Sequence, residues 1–142
     1  LRSVLDERSS QIEWKTFNLS VLATTAFTKT SEHLILARHA DEESTKKLHQ
    51  DLAVRHLLFF IDRYYHFNRV IDPNDFGLKE LASLFLSPLI PSEKEFLFDE
   101  ALIYAEQQHS QDFEKSYGKN DKFTRRWFYI RALKTFLLPQ VN

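Results

Sequence analysis

The sequence predicts an all-α fold, an irregular bundle of five to six helices around one long buried helix at about 46–71. Lys46 to Ile71, KKLHQDLAVRHLLFFIDRYYHFNRVI, holds neither Gly nor Pro and reads as that helix. From Leu52 to Ile61 it is apolar nearly all round, the pattern of a helix buried on every side. No second segment offers itself as a strand partner for the one stretch that alternates, and an isolated strand is not stable in water. The class is therefore helical throughout.

Taken in order, the first thirty residues carry two signals. Ile12, Trp14, Phe17, Val21 and Leu22 make a helical face, while Phe17, Leu19 and Val21 also alternate as a strand does. Helix is favoured because nothing pairs with the strand. Thr30 or Ser31 then offers an N-cap for a second helix, opened by Leu34, Ile35, Leu36 and Ala37. Residues 41–47, DEESTKK, form a solvated segment in which Glu42 and Lys46, and Glu43 and Lys47, are i,i+4 pairs. Those pairs favour helix running straight through.

The long helix keeps one polar line, formed by Asp51, Arg55, Asp62, His66 and Arg69. Unlike charges at these spacings meet on one stripe, each exposed pair contributing a few tenths of a kcal/mol. The helix stops at Asp72-Pro73, because the residue before a proline avoids the α region. Asn74-Asp75-Phe76-Gly77 has turn chemistry, Leu78 to Leu86 makes a short apolar helix, and Ser87-Pro88-Leu89-Ile90-Pro91 is a stiff connector. Ser92-Glu93-Lys94-Glu95 is a capping box. The helix it starts puts Phe98, Leu102, Ala105, His109 and Phe113 on one face, and Gly118 suits the position that ends it. Asp121 caps a last helix, 122–138, buried through Phe123, Trp127, Ile130 and Leu137 and stopped by Pro139.

Composition narrows the chemistry. At 142 residues the chain reads as one helical domain, 1–142, able to bury roughly two-thirds of its unfolded surface without a disulfide or metal. It contains no Met, so Leu1 is read as an internal position of a longer chain. The lack of Cys removes thiol catalysis, iron–sulfur clusters and thiolate zinc sites, and fits an intracellular, cytoplasmic protein. No run reaches the ~20 apolar residues of a membrane helix. A net charge of −1 gives no global case for nucleic acid, which is disfavoured as a partner. The charge is unevenly placed: residues 93–116 carry seven acids against two bases, and 117–142 six bases against one acid.

Motifs are sparse. Two Gly cannot build a phosphate cradle, and neither GxGxxG nor GxxxxGK[ST] occurs. Glu106 and His109 have the E-x-x-H spacing of di-iron bundles, but such sites need two of these motifs and further Glu. His39 and Glu43 form an isolated H-x-x-x-E pair, and His33 lies off the face of His39. His49 and His56 are about 10.5 Å apart along a helix axis, too far to share one metal. No metal site and no cofactor is expected. Asp62 and His66, flanked by Arg55 and Arg69, are the one carboxylate–imidazole pair suited to acid–base chemistry. A salt-bridged stripe is the plainer reading of it. Leu78 to Glu106 has the outline of a helix-turn-helix, with two prolines where the turn usually carries Gly.

The last helix, KFTRRWFYIRALK, mixes bases with aromatics, as nucleic-acid surfaces do. Lys122, Arg125 and Arg126 lie on one side of its wheel and Arg131 and Lys134 nearly opposite. The acids of the preceding helix are the natural complement, so charge matching within the chain is expected. The function expected is a non-enzymatic interaction or regulatory domain that binds another protein, a second copy included, through a helical surface. Lys122, Arg125 and Arg126 are its candidate partner-binding residues. One alternative is a sensor of fatty-acid-like ligands, with a cavity lined by Phe59, Phe60, Phe67, Phe98 and Trp127. A second is a helical metalloprotein.

Overall fold

The computed structural model describes the backbone of residues 4–67, 77–116 and 130–135, and the side chains of 18–64, 77–107 and 130–135. The fold is an all-α bundle, with no strand among the described residues. Its helices are α1 (Val4–Arg38), α2 (Glu43–Phe67), α3 (Leu78–Phe85) and α4 (Pro91–Ser116), followed by α5 at 130–135. None is long and apolar enough to cross a membrane.

The N-terminal region is one helix, and the expected break at Thr30 or Ser31 does not occur. Neither hydroxyl caps anything. Thr30 Oγ1 donates across the interface to the carbonyl of Ala53 at 3.2 Å, and Ser31 Oγ to that of Phe85 at 2.6 Å. Earlier in α1, Thr24 Oγ1 turns back to the Ser20 carbonyl at 2.9 Å, which satisfies the hydroxyl without interrupting the helix. The buried face of α1 runs through Leu19, Ala23, Ala26, Phe27, Thr30, Leu34 and Ala37, at spacings of three and four. Val21, expected on that face, is exposed, and Leu22 is packed at its edge.

Helix does not run straight through DEESTKK either. It stops at Arg38, where the Ala40 amide bonds to the Ala37 carbonyl at 3.3 Å in a tightened last turn. It restarts at Glu43, with the Glu42 carbonyl accepting from Lys46 N at 3.0 Å. The short link at 39–42 sends α2 back antiparallel to α1, so that Thr30 meets Ala53 and Phe27 meets Phe60. This hairpin is the most extensive helix–helix contact among the described residues. Alanines at 23, 26, 37 and 53 are buried. Small side chains at such positions let two helix axes approach closely.

α2 is the central helix, touching α1 on one side and α4 on another. Ala53, Val54, Leu57, Leu58, Phe60, Ile61 and Tyr64 are buried, and the Phe60 ring lies 5.4 Å from Phe27 and 5.9 Å from Tyr64. The expectation of burial on every side is corrected at Phe59, which is 52% exposed under the Arg63 guanidinium at 5.2 Å. One edge of α2 therefore stays in water. Along that edge Asp51 and Arg55 form the expected i,i+4 pair at 2.7 Å.

Gly77 opens α3 with φ of 70°, a left-handed conformation that strains any residue with a side chain. Leu78 and Ala82 face the core, joined by Leu86 and Leu89 beyond the helix end. α4 starts two residues earlier than Ser92-Glu93-Lys94-Glu95 suggests, with only the glutamate half of a capping box. Pro91 takes the first helical position, where its missing N–H costs nothing, and the Glu93 carboxylate accepts from the Ile90 N–H at 3.0 Å. Proline geometry outranks the serine side chain here. Phe98 and Ala105 are buried and Leu102 is packed at the core edge, as the expected face requires. Ile130 of α5 is buried, and Lys134 pairs with Asp99 of α4, one instance of the expected charge matching.

Glu93 also ties the end of α1 to the start of α4. Arg38 engages both of its carboxylate oxygens, through Nε at 3.1 Å and through a terminal nitrogen that also donates to the Pro88 carbonyl at 3.2 Å. The guanidinium is raised above its ordinary value by the bond to Glu93. Burial pushes the Glu93 carboxyl up, and the bonds from Arg38 and the Ile90 amide, with the charges of Arg38 and His39, outweigh it and leave it low. A carboxyl lowered by folding stabilises the fold above its unfolded value and loses that contribution as pH falls through the lowered one. Glu93→Gln is expected to cost about 1 kcal/mol at neutral pH, with the gap to wild type closing on acidification. Urea midpoints across the acid range check this.

Candidate functional site

The residues singled out in the sequence are not gathered at one place. Phe60 and Phe98 are wholly buried in the core, while Phe59 is exposed and so cannot line an interior cavity. The side chains of Phe67 and Trp127 lie outside the described residues, as do Lys122, Arg125 and Arg126. Glu106 is exposed, and the side chain of His109 is outside the described set, as is that of His66. Among the described residues, no group of three or more His, Asp or Glu is arranged to hold a metal.

Two features stand out instead. The first is a cluster of three near-parallel imidazoles on the α1–α2 hairpin. His33 of α1 lies between His49 and His56 of α2, with ring centroids 5.3 and 5.4 Å away and interplanar angles of 23° and 10°. The two α2 histidines are about two turns apart, roughly 10.5 Å along the axis, and the ring from α1 fills the gap. His33 Nδ1 and His49 Nδ1 are 3.0 Å apart, so one must donate a proton to the other. Burial holds His33 below the ordinary histidine value, and the charges of His56 and His49 lower it further. Glu32 opposes that shift and Lys29 adds to it.

Sequence reasoning missed this cluster because it compared His33 with His39 on the same helix and His49 with His56 on theirs. The signal that could have found it is the hairpin. Once α2 folds back on α1 through 39–42, His33 and His49 are about equally far from the turn.

The second feature is a groove of about 410 Å³ between α2 and α4. α2 lines it with Lys47, Gln50, Asp51 and Val54, and α4 with Phe96, Glu100, Ile103, Tyr104 and Gln107. These positions recur at three and four, so each helix contributes one stripe. Val54 and Phe96 form the apolar floor, and Ile103 and Tyr104 are 46% and 40% exposed on its wall. Charged and amide side chains rim it.

No family model matches the chain, and neither a curated protein nor a solved structure resembles it to a significant degree.

Proposed function

We propose that this chain is a non-enzymatic interaction domain that receives an amphipathic helix of a partner protein in the groove between α2 and α4. The observation that carries this reading is the exposure of Ile103 and Tyr104 beside the apolar floor of Val54 and Phe96. An apolar centre inside a polar rim is the anatomy of a protein interface. The groove's shape suits a helix. The α4 stripe from Phe96 to Gln107 extends about 16 Å, three turns, along which a partner could seat side chains at i, i+3, i+4 and i+7.

The sensor reading has less support, since Phe60 and Phe98 are consumed in core packing. Lys122, Arg125 and Arg126 remain the charged candidates for contact with the partner.

Ile103→Arg should weaken binding by about tenfold or more, since it places a charge in the apolar centre of the contact. Helicity by circular dichroism should be unchanged, because Ile103 is half exposed. A partner captured by the wild-type protein should be lost by Ile103→Arg and kept by Leu84→Arg, whose 64% exposed side chain lies away from the groove. Equal capture by all three proteins would refute the groove. Loss only on reversing the charges of Lys122, Arg125 and Arg126 would move the interface to the last helix.

A further inference from the structure

We propose that His33, His49 and His56 form a proton-sensitive clasp between α1 and α2, closed when the rings are neutral and loosened when more than one carries a proton. The geometry sets the rule. The short Nδ1–Nδ1 contact between His33 and His49 needs one proton donor and one acceptor. It survives a single added proton, because an imidazolium can donate to a neutral ring. A second proton leaves two donors face to face, with no acceptor between them. The His56 ring lies 5.4 Å from that of His33 and nearly parallel to it, so a charge there also repels any charge on the central ring.

The cluster bridges two helices, so its repulsion acts on the packing between them. It lies beside the buried seam where Thr30 donates to Ala53, and among the described residues no charged side chain is buried. Among the described residues, the other charges bearing on His33 are Lys29 and Glu32 of its own helix. These two pair with each other at 3.5 Å. Glu32 favours a charge on His33 and Lys29 disfavours it. Among the described residues, the other groups acting on His33 are His49 and His56 of α2.

The sign follows from linkage. His33 is held below the ordinary histidine value by burial first and by the neighbouring rings second. The unfolded chain then binds more protons than the folded one between the ordinary and the lowered value. Stability is therefore full above the ordinary histidine range and falls as pH drops through it. The same pH change leaves the carboxylates ionised, which separates this transition from the Glu93 one at lower pH.

The test measures urea midpoints of the full chain at about pH 7.5 and about pH 5.5, in the wild type and in His33→Gln. The wild-type midpoint should fall on acidification, and His33→Gln should lose most of that fall while matching or exceeding the wild type at acid pH. An equal fall in both proteins overturns the clasp. Proton titration of the imidazoles by NMR gives a second readout that needs no stable His33 variant. His33 should titrate below an ordinary histidine in the wild type, and its titration should rise in His56→Gln or His49→Gln. A His33 that titrates normally, or that ignores both substitutions, also overturns it.

Discussion

Phe60→Ala is expected to remove about 3–5 kcal/mol of unfolding free energy, the largest effect of any single truncation considered. Phe60 is wholly buried at the middle of α2, between the rings of Phe27 and Tyr64. Truncation deletes the transfer free energy of a benzyl group, leaves a cavity the helices cannot fully close, and breaks two ring contacts. The neighbouring position is the control. Phe59 is half exposed, and Phe59→Ala gives up little beyond its contact with Arg63, about 0.5–1 kcal/mol. Denaturant unfolding of the two variants side by side checks the orientation of α2. Similar losses for both would mean the helix is rotated from the arrangement described.

Ala53→Leu should cost about 1–3 kcal/mol, although it adds apolar surface at a core position. Ala53 is fully buried at the α1–α2 contact, and its carbonyl accepts the Thr30 hydroxyl. A leucine there needs room for three more carbons between helices held together by that bond. Separating them leaves Thr30, itself fully buried, without its acceptor. Thr30→Val in the same background should recover part of the loss, because it removes the stranded donor. A stable Ala53→Leu protein would show slack between α1 and α2, and thermal unfolding of the single and double variants decides the matter.

The helical class was legible because its cues are local. Apolar residues at three and four spacings mark Leu78 and Ala82, and likewise Phe98, Leu102 and Ala105, without reference to the rest of the chain. Gly77, the last residue of the turn expected at 74–77, adopts the left-handed conformation that glycine tolerates. The errors arose where one residue had two uses. Thr30 and Ser31 are good caps by type, yet both hydroxyls are spent on carbonyls of other helices. Ser92 is a good cap by type, but Pro91 before it starts the helix first. Phe59 belongs to an apolar run that a fully buried helix would show, and only the positions of α1 and α4 leave it outside.

By itself, then, the sequence determined that this protein is all-α, that the helix carrying the apolar run Leu52 to Ile61 is central, and that an acid of α4 would meet a base of the last helix, as Asp99 meets Lys134. Each follows from side-chain type and helical period, which act within a few residues along the chain. Tertiary structure alone decided the meeting of His33 with His49 and His56, the clamp of Arg38 on Glu93, and the groove that brings Val54 beside Ile103. These pairings join residues far apart in sequence, 55 positions for Arg38 and Glu93. The hairpin angle and the facing of each helix select them, and those depend on how all the buried surfaces fit at once.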